Sequence, residues 1–161
     1  MAKLSDSMRD FLNRRHYATL ATFNDDGSIH LTPVWYLFEQ ERFFVATASD
    51  RKYKNIVARP QASLVVDSRR LGAERWVSAS GTAEIIRGEP SKKIAARIHL
   101  RYLTKAALDD PRIGPVFDAA SEVVIALTPQ TWRTWDGKSM DDQYFGGILL
   151  QTPQKWFLPL D

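Results

Sequence analysis

The stretch SDRKYKNI, residues 49–56, sets Arg51, Lys52 and Lys54 within four positions. An apolar, β-branched segment precedes it, and KNIVARP (54–60) follows as a short helix stopped before Pro60. A guanidinium offers a planar fork to phosphate oxygens, and an ammonium acts as a mobile point charge. Backbone N–H groups at a strand-to-helix turn could join them on one anion. Cations at a helix start oppose the helix dipole, a cost that an anion would relieve. On these residues alone, a solvated helix start and an anion holder both stand.

A second feature is aromatic. Trp35, Trp76, Trp132 and Trp135 fall on predicted strands, where tryptophan serves a core or closes a barrel. They could equally wall a flat slot for a ring system, beside small residues such as Ala46, Ala48 and Ser78. Other chemistry is less visible. His16, His30 and His99 form no H-E-x-x-H pair, and His99 is expected on the surface of its helix. A Ser-His-Asp set would converge only in space, and no G-x-S-x-G elbow marks a nucleophile. Neither a Walker loop nor G-x-G-x-x-G is present, and the acid pairs at 25–26, 109–110 and 141–142 read as turn and loop residues.

The elements that must position these groups are mostly strands. Residues 4–15 predict a short helix with Ser5 as its N-cap. YATLATF (17–23), the turn NDDGS (24–28) and IHLTPVWYLF (29–38) predict a hairpin, with Asp-Gly supplying the turn. EQER (39–42) turns into FFVATAS (43–49), so that three strands read as an antiparallel meander. ASLVVD (62–67) and RWVSASGTAEIIR (75–87) are further strands, the second bent or bulged at Gly81. EPSKKIAARIHLRYL (89–103) is the clearest helix, with Ile94, Ile98 and Leu100–Leu103 towards one side and a short helix to follow near 112–119. EVVIALTP (122–129) and TWRTWDG (131–137) predict two strands joined by a turn, and the tail from Lys138 carries no period. Many short antiparallel strands and few helices favour a small closed barrel over a doubly wound sheet.

The 161 residues suit one domain, 1–161, with a core over about 8–135 and a tail over 136–161. A hydrophobic share of 44% and a charged share of 25% are those of a soluble globular protein. No apolar run approaches the roughly 20 residues that cross a bilayer, and the charged N-terminus lacks a signal-peptide core. Without cysteine there is no disulfide, thiolate catalysis or Cys-bound metal. A cytoplasmic location is expected. The net charge of +3 is dispersed, with no basic arm, so neither nucleic acid nor membrane is expected as a partner.

Taken together, FFVATASDRKYKNIVARPQASLVVD and RWVSASGTAEII, following the meander, resemble the pyridoxamine 5′-phosphate oxidase-like flavin-binding split-barrel superfamily over about residues 8–135. The resemblance implies a mainly β fold with flanking helices, a six- to seven-stranded antiparallel split β-barrel. It also implies a homodimer holding FMN in a groove at the subunit interface, and an FMN-dependent oxidoreductase acting by hydride transfer on a small-molecule substrate. Carried over residue by residue, Arg51 and Lys52 become phosphate ligands, with Lys54 and Asn55 as helpers. Val45 and Ala46 would line the ring or ribityl chain, and Val34 and Trp35 would meet the ring edge through their main chain. Trp76 stands where true oxidases carry a Gln, and Trp132 and Arg133 would close the site from the other subunit. The chain departs from true oxidases in carrying HLTPVW, with His30 and Trp35, in place of their Arg- and Lys-bearing strand, and in lacking their C-terminal Arg-x-His. The resemblance is therefore to the broad branch containing FMN proteins and deazaflavin (coenzyme F-420) reductases. A non-catalytic flavin- or haem-binding protein is the expectation of a different class.

Overall fold

The computed structural model describes residues 4–72 and 74–159. The chain opens with a helix, α1 (Asp6–Asn13), capped by Ser5 as its sequence predicts. It is followed by β1 (Ala18–Phe23) and β2 (Ile29–Val34), joined by the Asp-Gly turn. Gly27 takes φ +86° there, a conformation that side chains disfavour. Next come β3 (Leu37–Glu39), β4 (Arg42–Thr47), α2 (Arg51–Ala58), β5 (Gln61–Ser68) and β6 (Arg75–Ile86). Three helices, α3 (Glu89–Tyr102), α4 (Lys105–Asp109) and α5 (Gly114–Ala119), lead into β7 (Val123–Asp136). The tail forms α6 (Gly137–Phe145), α7 (Ile148–Gln151) and α8 (Pro153–Trp156).

All seven strands belong to one antiparallel sheet in the order β2-β1-β5-β6-β7-β4-β3. The expected meander is corrected here. The segment 29–38 is not one strand: β2 pairs with β1 and β3 pairs with β4, at opposite edges of the sheet. Only Trp35 and Tyr36 separate the two edges in sequence. Seven strands spaced about 4.8 Å apart would make a flat sheet about 29 Å across. Three Cα steps, from Val34 to Leu37, reach at most about 11 Å. The sheet must therefore curl until its edges meet, which makes a split barrel.

The interior is filled by alternate residues of the strands, among them Leu20, Phe43, Val45, Leu64, Val66, Val77 and Leu127. Tyr36 is fully buried, and its hydroxyl donates to the Leu12 carbonyl at 2.8 Å. Leu12, Phe11 and Met8 of α1 join the same core. Arg101 of α3 donates to the Leu12 and Asn13 carbonyls at 3.1 and 3.0 Å, a cation at the C-terminus of α1 where the dipole favours it.

β7 also differs from expectation, since 122–129 and 131–137 are one continuous strand. Its interruption is a bulge against β6: Ser80 pairs with Thr131 and Gly81 with Pro129, leaving Gln130 as the extra residue. The bulge accommodates a proline that cannot donate to the ladder. A Cβ on residue 81 would stand 2.0 Å from the Thr128 carbonyl oxygen, so glycine is required by space. The helical tail had no sequence signal. It is organised by Asp141, fully buried, whose carboxylate accepts from the amides of Leu149 (3.1 Å) and Leu150 (2.8 Å). Among the described residues no helix is long and apolar enough to cross a membrane. Gly81→Ala is expected to lower stability by about 2–3 kcal/mol, read by denaturant unfolding; an unchanged midpoint would mean that the bulge relaxes freely.

Candidate functional site

Asp50 sits between β4 and α2. Its Oδ1 accepts the Tyr53 amide at 3.2 Å, making it the N-cap of α2. Its Oδ2 accepts the Thr47 hydroxyl at 2.7 Å, from the last residue of β4, and also holds the Lys52 ammonium. Burial would raise the Asp50 pKa, but the hydrogen bonds from Lys52, Thr47 and the Tyr53 amide outweigh it and hold the carboxyl below its usual range. The Lys52 side chain is only 13% exposed, so it is a fixed ammonium rather than a waving surface lysine.

Lys52 lies at the edge of a cavity of about 250 Å³ at the end of the barrel where the β2–β3 segment breaks. One wall is Pro33, Val34 and Trp35 at the break itself; Ala46 of β4 and Tyr17 add to it. The helical layer adds Ile98 and His99 from α3 and Phe117 and Ser121 from the end of α5. The Trp35 indole stacks on Tyr102 (5.0 Å between centroids, 2° between planes) and on Phe117 (5.4 Å, 19°). That stack fixes the indole beside the cavity that Val34 and Trp35 line. The result is a largely apolar slot, open to solvent, with one ammonium at its edge.

Of the eleven residues singled out in the sequence, Val34, Trp35, Ala46 and Lys52 converge on this slot. Arg51 does not line it. Successive helical side chains diverge, and Arg51 faces a separate depression with Asn24, Asp25, Asp26 and His30. Lys54 is exposed, and among the described residues neither Lys54 nor Arg51 has an ion-pair partner. Asn55 is buried, donating to the Thr22 hydroxyl and to Asn24 at 3.0 Å each, and so ties α2 to the β1 hairpin. Val45 points into the core. Trp132 packs inside the barrel against Phe43 and Phe38, while its neighbour Arg133 is exposed on the outer face opposite Ser78. Trp76 is half-buried on that outer face, paired with Trp135.

Two expectations for α2 and α3 are corrected. α2 begins at Arg51, not Lys54, because Asp50 supplies a cap immediately before the basic run. His99 is buried at 4% exposure, not on the surface, and Leu100 takes the exposed position. Asp50 was detectable in sequence as an N-cap type before a helix. Thr47, which meets Asp50, and Phe117 and Ser121, which line the slot, reach these places only through the fold.

The fold is a split barrel with a slot at one end. A family model described as pyridoxamine 5′-phosphate oxidase matches residues 4–136, and the chain belongs to that family. The match ends where β7 ends, leaving the helical tail outside it. Over 83 residues the chain is 31% identical to an F420H2-dependent biliverdin reductase of Mycobacterium tuberculosis, a match spanning 52% of this chain and 60% of that protein. A solved structure described as a conserved hypothetical protein from Mycobacterium tuberculosis superposes with a TM-score of 0.68 at 24% identity, over 86% of this chain and 88% of that one. An F420 reductase gives 0.64 at 23%, over 81% and 98%, and the haem storage protein HutZ of Vibrio cholerae gives 0.62 at 18%, over 84% and 96%.

Asp50 supports a test that separates its two jobs. Asp50→Ala removes both cap and ion-pair partner and is expected to cost about 2 kcal/mol at pH 7. Asp50→Asn keeps a capping side chain and should cost about half of that. Because the folded carboxyl titrates below its unfolded value near 4, its contribution is complete above that pH and lost as pH falls through the folded value. Thermal unfolding of the wild type and Asp50→Asn should therefore converge in acid; a gap that persists unchanged would show that the charge is not involved.

Proposed function

We propose that the protein is an oxidoreductase that binds a flavin-type cofactor in the slot at Trp35 and Lys52. The observation that carries this reading is one fixed lysine lining an apolar slot that Pro33, Val34 and Trp35 also line. The residues fit such a group: a flat ring needs apolar walls and main-chain polar contacts, and a phosphate needs a cation. When bound, the ring supplies hydride transfer to or from a small molecule. The chain's own part is to hold the ring edge along Val34 and Trp35, to meet the phosphate with Lys52, and to exclude water with Phe117 and Ile98. Arg51 and Lys54 add positive potential to the approach rather than direct contacts. This division of labour needs no side chain acting as an acid or base.

Between the two ring cofactors, the deazaflavin F-420 is the better supported. The curated relative at 31% identity is described as F420H2-dependent, whereas nothing in the slot selects FMN. Haem is the weaker reading: a ring nitrogen must face the iron, and the slot's imidazole, His99, already engages Ser121 and Asp118.

At about 250 Å³ the slot is smaller than the usual ligand pocket of roughly 300–1,000 Å³. A second copy of the chain would complete it. The outer face of the β1–β2 hairpin supports this, since Tyr17 (64%), Leu31 (63%) and Ile29 (61%) are exposed beside Pro33, which lines the slot. Such an apolar patch suits burial between two protomers.

Two variants test the reading by equilibrium binding of F-420 and FMN to purified protein. Lys52→Ala is expected to weaken the preferred cofactor by about tenfold or more while the protein stays folded, since a charge-assisted contact contributes on the order of 1.5–3 kcal/mol. Leu31→Asp is expected to give monomers on ultracentrifugation and to lose affinity with them. Undiminished binding by Lys52→Ala, or no binding of either cofactor by the wild type, would sink the proposal.

A further inference from the structure

One polar cluster beside the slot is given no task in holding the cofactor; its imidazole and hydroxyl are buried, while its carboxylate is 78% exposed. α3 carries His99, whose Nε2 lies 3.0 Å from the Ser121 Oγ, with His99 at 4% exposure and Ser121 at 9%. On the other side of the ring, His99 Nδ1 lies 3.5 Å from the Asp118 Oδ1. Asp118 and Ser121 come from the same turn at the end of α5, closed by the Ser121 amide donating to the Asp118 carbonyl at 3.1 Å. That turn presents a carboxylate and a hydroxyl to the two nitrogens of one imidazole. Phe117 meets the ring edge-on (6.0 Å, 64°) and limits its rotation.

The order hydroxyl, imidazole, carboxylate is the one that activates a serine, and it is recognised by geometry and not by sequence position. With Nδ1–H towards Asp118, Nε2 is left to accept the Ser121 proton. Burial lowers the His99 pKa and Asp118 offsets that only in part, so the imidazole is neutral near pH 7, the form a general base requires. The charged groups sharing its cavities are Asp118 from α5, Lys92 from α3 and Lys52 from α2, the last across the inner slot, where β4 contributes only Ala46.

His99 and Ser121 also line a second cavity, of about 300 Å³, whose lining does not include Lys52. Its other lining residues are Lys92, Ala95, Ala96 and Asp118. Two alanines leave room for a short acyl chain, and His99 and Ser121 are the residues this cavity shares with the slot.

We propose that Ser121, His99 and Asp118 form an acyl-accepting site that takes a short acyl group from an activated ester through this outer cavity. The Ser121 oxygen forms a bond to the carbonyl carbon as its proton passes to His99 Nε2. The bond to the leaving oxygen then breaks, and His99 returns the proton to that oxygen. Water releases the acyl group by the same route, its proton taken by His99 and returned to Ser121. Ser121 and His99 touch the reacting atoms; Asp118 is a positioning residue that acts through His99.

The test uses the cofactor-free full chain, so its outcome is independent of the oxidoreductase reading. p-Nitrophenyl acetate is the substrate probe, and a fluorophosphonate is the covalent probe, with the label located by peptide mass. The expected result is one label per chain on Ser121, absent in Ser121→Ala. His99→Gln should slow acylation by about 10²-fold or more. The rate should rise with pH through a value below the ordinary imidazole range, and Asp118→Asn should move that value down. If His99→Gln does not fold, Asp118→Asn, altered at an exposed carboxylate, decides the matter through its pH profile. An unlabelled Ser121, or an acylation rate indifferent to both variants, would overturn the proposal and leave the cluster as a hydrogen bond tying α3 to α5.

Discussion

The Asp50 carboxylate joins a strand, a helix and a cation at one point. One oxygen caps α2; the other binds the Thr47 hydroxyl at the end of β4 and the Lys52 ammonium. Each contact alone is modest, but they share one carboxylate and so fix one another's geometry. A basic helix start would otherwise be unfavourable, with Arg51, Lys52 and Lys54 set against the positive end of α2. The capping carboxylate offsets part of that repulsion locally and fixes the ammonium along the apolar slot. Arg51, one residue away, escapes this constraint and points elsewhere.

The other half of the slot comes from barrel closure. A sheet whose two edge strands are separated by only Trp35 and Tyr36 has to turn a corner there. Tyr36 turns inward, fully buried and bonded to α1, while Trp35 stacks on Tyr102 and Phe117 from the helical layer. The corner thus leaves a stretch of main chain outside the regular ladder beside a wall of aromatic rings. Fold and site have one cause, since the residues that allow the barrel to close also border the slot.

Local elements were the most legible in sequence. The Asp26-Gly27 turn, the Ser5 cap and the Gly81 bulge each depend on a residue type that little else can replace, and each is present. What failed depended on tertiary contacts. IHLTPVWYLF has an unbroken β pattern, and nothing within it reveals that its halves pair with different partners. Pro129 reads as a break until β6 supplies a bulge to receive it. His99 looks like a surface residue of an amphipathic helix until α5 and Ser121 cover it. Of the candidate site, the four residues that converge include two from the HLTPVW motif and one from the basic run. The short helix containing Phe117 was expected near 112–119, but nothing in it showed that Phe117 and Ser121 would border the slot, since only the fold brings them there.

The central claim is that the slot bordered by Trp35, Ala46 and Lys52 receives the cofactor ring. Two-dimensional NMR of the ¹⁵N-labelled chain during titration with F-420 reads this directly through the Trp35 indole N–H and the Ala46 amide. These two signals are predicted to shift together and saturably, while the indole of Trp132, partly buried against Phe38 and Phe43, stays in place. Saturable shifts that spare Trp35 and Ala46 would contradict the account.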